Sequence, residues 1–192
     1  MDYTCQTMNS PHQIHLIRHA EAAQRWTEAS DPALSAAGAA QAHSLAEAWR
    51  EVPPLAVRSS PLRRARETAA PLAAHWQRET SIDEDFREVP GPADFALRPA
   101  WIEHLMVAHW RELDATVLAW RDRLWGALQA LPAGTVVFTH FMVINAVVSL
   151  LEGRERLVVF EPDYCSATVL APEAATVRLI TLGESRATRV LV

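Results

Sequence analysis

The chain has 192 residues, a length that suits one domain, and its residues are 49% hydrophobic and 21% charged, a globular balance that excludes a disordered chain. Setting 23 Asp and Glu against 18 Lys and Arg leaves a net charge of −5, which argues against nucleic acid or an anionic membrane as the main partner. No apolar stretch approaches the roughly 20 residues that span a bilayer. The first ten residues lack the basic-then-apolar pattern of a signal peptide. Only Cys5 and Cys165 are present, so a disulfide scaffold or a cysteine-rich zinc site is excluded and a cytoplasmic location is expected.

Residues 1–11 are polar and aperiodic and read as a flexible N-terminal arm, leaving 12–192 as one domain. Residues 12–17 turn apolar and suit a buried strand. After a polar loop, Ser35 reads as the N-cap of an Ala-rich helix to about Arg50, with Ala42, Leu45, Ala46 and Trp49 on one face. Residues 55–58 predict a short strand. Ser60-Pro61 then predicts a helix start, a capping hydroxyl followed by proline at the first helical position. Leu62, Ala65, Ala69, Leu72 and Trp76 form that helix's buried stripe, with Pro71 inside it. Residues 80–86 predict a third strand and 88–99 a proline-rich loop. A helical stretch follows at 101–111, then a helix over 113–131 that Pro132-Ala133-Gly134 ends. Residues 135–139 predict a β-branched strand, His140 opens an apolar helix to about Gly153, and 156–160, 166–171 and 176–182 read as strands. The alternation predicts an α/β fold, a three-layer α/β/α sandwich with a largely parallel central sheet.

In such sheets ligands bind beyond the carboxyl ends of the strands. Three strand ends carry related residues: Arg18-His19, Ser60-Pro61 leading into Arg63-Arg64, and Thr139-His140. Two imidazoles and at least two guanidiniums converging on one edge predict a pocket for a dianionic group, because arginine presents planar forks of donors to phosphate oxygens. A neutral imidazole there can attack phosphorus, and a carboxylic acid is then needed to protonate the leaving oxygen. Glu88, at the start of the proline-rich loop, is placed for that task.

These residues sit in recognisable segments. Leu16-Ile17-Arg18-His19-Ala20-Glu21 resembles the opening motif of the histidine phosphatase superfamily, the phosphoglycerate mutase-like family. Leu34-Ser35-Ala36-Ala37-Gly38 with Gln41-Ala42, residues 59–69, Phe86-Arg87-Glu88 and residues 136–144 are similar to four further family segments in the same order, so the likeness covers roughly residues 14–182. The resemblance implies a phosphoglycerate mutase-like fold and a phosphomonoesterase that hydrolyses a phosphorylated small molecule through a phosphohistidine intermediate. It implies no cofactor and no metal. His19 would carry the phosphoryl group, Arg18, Arg64 and His140 would bind it, and Glu88 would donate and then accept the proton. Ala20 and Phe141 stand where the family commonly has glycine, Asn145 where many members have arginine, and Val89-Pro90-Gly91-Pro92 where Gly-x-Trp-Glu-Gly is usual. Glu21, Arg25, Arg87 and Phe141 are candidates for the substrate rim.

A phosphoglycerate-type mutase and a non-catalytic phospho-ligand-binding or interaction protein are the alternatives. No histidine spacing suits a metal: His104 and His109 lie on different helical faces, and His12 and His15 on opposite faces of a strand. Trp101, Trp110, Trp120 and Trp125 read as core packing, with a pocket cap, a seat for a hydrophobic substrate or a homodimer contact as the other readings.

Overall fold

The computed structural model describes residues 12–173 and 176–185; the expected N-terminal arm, with Cys5, lies outside them. In chain order the elements are β1 (Ile14–Arg18), α1 (Ala36–Ala48), β2 (Ala56–Ser59), α2 (Arg63–His75), β3 (Thr80–Ile82), α3 (Arg98–Val107), α4 (Ala115–Gln129), β4 (Thr135–Thr139), α5 (Phe141–Leu151), β5 (Ala167–Glu173) and β6 (Thr176–Thr181). One sheet has the order β3-β2-β4-β1-β5-β6. Strands β3, β2, β4 and β1 run parallel, while β5 lies antiparallel to both β1 and β6.

Both central strands are buried along all five residues, as a sheet covered on two faces requires. Alternation sends Ile14, Leu16 and Val137 into a core with α4 and α5, where Trp120, Leu124, Leu128 and Ile144 pack. It sends Ile17, Val136 and Phe138 to the opposite face, against Leu45 and Trp49 of the α1 unit and Leu72 and Trp76 of the α2 unit. This is the expected three-layer α/β/α arrangement. No helix among the described residues is long and apolar enough to cross a membrane.

Three expectations need correction. Helix α2 starts at Arg63, and Ser60 is not its N-cap. The Ser60 hydroxyl lies 2.6 Å from His140 Nε2, and Asp31 Oδ1 from the β1–α1 loop accepts the Arg63 N–H at 2.6 Å instead. The strand at 80–86 stops at Ile82, because the Asp83 carboxylate accepts the Asp85 N–H and turns the chain into a 3-10 helix at Glu84–Phe86. Residues 156–160 do not form a strand: Arg156 makes an isolated bridge to His109. The N–H groups of Val159 and Phe160 donate to Oδ1 of the buried Asn145, at 2.8 and 3.1 Å, so a side chain takes the place of a neighbouring strand. Trp110 and Trp120 are core residues, as read from the sequence; their indole N–H groups donate to Ser149 Oγ and the Arg87 carbonyl.

His15 faces the second core edge-on to Trp49, its ring centroid 5.1 Å away, with neither ring nitrogen hydrogen-bonded. Burial pushes this imidazole down to about 4. The unfolded chain restores an ordinary value of about 6.5, so between the two the unfolded state binds a proton that the fold excludes. Stability therefore falls as pH drops through 6.5 and levels off below about 4, a total loss on the order of 3 kcal/mol from this group. Urea denaturation at about pH 7.5 and about pH 5 should show His15→Leu no less stable at the higher pH and less sensitive to acid than the wild type. An unchanged pH dependence would remove His15 from the explanation.

Candidate active site

The C-terminal ends of β1, β2 and β4 meet because the strands are parallel and in register, with Arg18 opposite Thr139 and Ser59 opposite Phe138. Beyond the ladder the chain stays pinned: His19 N–H donates to the Thr139 carbonyl at 2.9 Å, and Ser60 N–H to the Phe138 carbonyl at 2.9 Å. His19, Ser60 and His140 are thereby set side by side from three distant segments. Thr68 ties α2 to the same edge, accepting from Ala20 N–H at 2.9 Å and donating to the Arg64 carbonyl at 2.7 Å.

The His19 and His140 rings are 5.2 Å apart. His19 Nδ1 lies 2.7 Å from the Ala20 carbonyl oxygen, which can only accept, so Nδ1 carries the proton. The lone pair is then on Nε2, where the Arg64 Nε–H donates at 3.1 Å. Burial first, and then Arg64 and Arg18, hold the His19 imidazole well below its ordinary value, so it is neutral at pH 7. Burial, with Arg64 next, does the same to His140. Arg18 donates to the Pro162 carbonyl at 2.7 Å and lies under the Tyr164 ring, 4.2 Å from its centroid. Arg18 Nε, Arg64 Nη1 and His140 Nδ1 are buried without a hydrogen-bond partner. Three unsatisfied polar atoms in one cluster mark a place made for an acceptor-rich group.

Glu88 enters from the loop after β3. Its carboxylate accepts from Val89 N–H at 2.9 Å and, at 3.5 Å, from Met142 N–H in the first turn of α5. Burial pushes the pKa of its carboxyl above the ordinary carboxylate value, against those hydrogen bonds and the pull of Arg64 and Arg18. A raised value suits a proton donor.

A cavity of about 450 Å³ opens from this cluster. Arg18, His19, Arg64, Glu88, Glu21, Arg25 and Phe141 line it, while His140 sits behind them, fully buried. Arg87 is outside the lining: its side chain pairs with Glu84 at 3.0 Å. Glu21 also has a local task, accepting the Ser35 hydroxyl at 2.6 Å, and a Cβ on Gly38 would collide with its carbonyl oxygen at 2.0 Å. Tyr164 and Trp26 line the cavity as well and escaped the sequence reading, since neither lies in a periodic element or a motif. Among the described residues, no group of three or more His, Cys, Asp or Glu is placed to hold a metal ion.

The fold and this cluster define an α/β protein with a cluster of two histidines and two arginines at its strand ends. The chain belongs to branch 1 of the histidine phosphatase superfamily, whose family model matches residues 14–185. It is 38% identical over 98 residues to the uncharacterized protein Rv0525 of Mycobacterium tuberculosis (strain ATCC 25618 / H37Rv), a stretch covering 45% of this chain and 48% of that relative. The chain thus spans about half the length of the curated relative it matches. Among solved structures it resembles mycobacterial glucosyl-3-phosphoglycerate phosphatase complexed with VO3, at 22% identity and a TM-score of 0.71, covering 91% of this chain and 100% of that one. It also resembles the phosphoserine phosphatase of Entamoeba histolytica in complex with 3-phosphoglyceric acid, at 20% identity and a TM-score of 0.70, covering 94% and 99%. At these identities the two structures speak for the fold.

Proposed function

We propose that this protein is a phosphomonoesterase that hydrolyses a phosphorylated small molecule through a phosphohistidine on His19. The observation that carries the reading is the fixed tautomer of His19: Nδ1–H is committed to the Ala20 carbonyl, which leaves the Nε2 lone pair among Arg18, Arg64 and His140. The substrate's oxygens would take over the Arg64 donor and meet the guanidiniums of Arg18 and Arg64 that line the cavity. Nε2 then attacks phosphorus as the P–O bond to the alcohol breaks, and protonated Glu88 gives its proton to the departing oxygen. In the second step the Glu88 carboxylate takes a proton from water as the water oxygen attacks phosphorus. The P–N bond breaks, releasing phosphate and restoring His19. The arginines stabilise charge on the equatorial oxygens in both steps.

The phosphatase names of the structural neighbours support the same reaction class. A mutase must hold an anionic product for return of the phosphoryl group. Among the described lining residues Arg25 is the one arginine besides Arg18 and Arg64, and Glu21 and Glu28 line the cavity as well. Retention of two histidines, two arginines and a carboxylate in one cluster weighs against a binding-only protein.

Rapid quench with a labelled phosphomonoester should trap an acid-labile, base-stable phosphoprotein in the wild type and none in His19→Ala; undiminished turnover in that variant would end the mechanism. Glu88→Gln keeps size and polarity but cannot donate the proton, and a general acid is worth about 10²- to 10⁴-fold, most for a poor leaving group. In single-turnover kinetics it should slow an alkyl phosphate far more than p-nitrophenyl phosphate, with phosphohistidine accumulating from the aryl substrate. Equal slowing of both would assign Glu88 a binding or structural part.

A further inference from the structure

The cavity extends well past the phosphate cluster, and its outer part has a chemistry of its own. Trp26, Ile102, Phe141, Met142 and Val89 supply the apolar part of its lining. A phosphoryl group fills only a small part of about 450 Å³, a volume in the range of pockets that enclose whole drug-sized molecules.

Trp26 is a built wall. Its ring stacks on Trp101, with centroids 5.7 Å apart and planes 26° from parallel. The buried Arg98 lies over the Trp26 ring, 4.3 Å from its centroid, and over Phe95 at 3.9 Å. The same guanidinium donates to the carbonyls of Trp26 and Pro92, both at 2.9 Å, and so ties the β1–α1 loop to the proline-rich loop. Gly91 lies directly against the indole: a Cβ there would meet Trp26 Cη2 at 2.2 Å. A cation, a second indole and a closely packed glycine thus hold the Trp26 side chain in place at the cavity wall.

The charges beside that wall set what it cannot hold. Glu21 and Glu28 face the outer part of the cavity, and Arg25 is the one cation there among the described lining residues. A carboxylate on the leaving group would meet two carboxylates against one guanidinium, so a second anionic group is disfavoured.

Resting on the phosphatase reading above, we infer that the substrate is a phosphomonoester whose alcohol carries an uncharged, flat, apolar ring system that packs against Trp26. Trp26, Arg98 and Gly91 then decide specificity while the strand-end cluster performs the transfer. Arg98 is a positioning residue that acts through Trp26.

The test compares 2-naphthylmethyl phosphate, glycerol 3-phosphate and 3-phosphoglycerate, all alkyl esters, so that intrinsic leaving-group reactivity does not dominate. The naphthyl ester should have a kcat/KM about tenfold or more above the other two, from ring stacking and apolar burial. Trp26→Ala should abolish that advantage, mostly through KM, whereas Trp26→Phe should keep most of it. Equal or better turnover of 3-phosphoglycerate, or a naphthyl preference that survives Trp26→Ala, overturns the inference and leaves the phosphatase reading standing. If no ester is turned over and no phosphoenzyme forms, the phosphatase reading fails. Calorimetric binding of 2-naphthylmethylphosphonate against methylphosphonate then decides the pocket by itself. Tighter binding of the naphthyl compound that is lost in Trp26→Ala supports the ring site, and equal binding of the two overturns it.

Discussion

Two guanidiniums and two imidazoles are buried within one cluster, with the Glu88 carboxyl beside them under the pull of Arg64 and Arg18. Burial lowers the proton affinity of all four, and Arg64 and Arg18 push both histidines down further. The arginines nevertheless remain cations, because their ordinary value is so high. A cluster of this kind costs free energy in the absence of an anion, and the unpartnered nitrogens of Arg18, Arg64 and His140 are where that cost resides. On the proposed reading, a group with several acceptor oxygens and two negative charges would offset that cost.

The rest of the fold is organised to hold that cluster together. Five-residue buried strands fix the depth of Arg18 and Thr139, and backbone hydrogen bonds that run past the ladder carry the register on to His19 and Ser60. Helix α2 presents Arg64 from its first turn, with Thr68 one turn on locking it to Ala20. The segment before β5 closes the far side: the Pro162 carbonyl holds Arg18, and Tyr164 covers its guanidinium with a ring face. A neutral His19 with a fixed tautomer is a consequence of this crowding, since a protonated ring would add a third cation beside Arg18 and Arg64.

Much of this was legible in the sequence because the informative residues lie at element ends. The runs at 12–17 and 135–139 announce buried strands, and a histidine stands just past the end of each. What the sequence could not convey is pairing between distant residues. Ser60 looked like a helix cap because Ser-Pro usually is one, yet its hydroxyl is drawn to a histidine 80 positions away. The segment at 156–160 had the composition of a strand, but its N–H groups are taken by one buried asparagine from α5. Arg98 and Trp26 stand 72 positions apart, one at the start of α3 and the other in the β1–α1 loop, so the wall they form had no local signature.

The central claim is that the arginine cluster exists for a bound dianion and weakens the free protein. Chemical denaturation of wild type and Arg64→Met, each with and without inorganic phosphate, addresses it directly. The account predicts that phosphate stabilises the wild type in proportion to the logarithm of its concentration above Kd, and that Arg64→Met is at least as stable as wild type without phosphate and unresponsive to it. A variant that is several kcal/mol less stable without phosphate, yet gains as much from phosphate as the wild type, would contradict it.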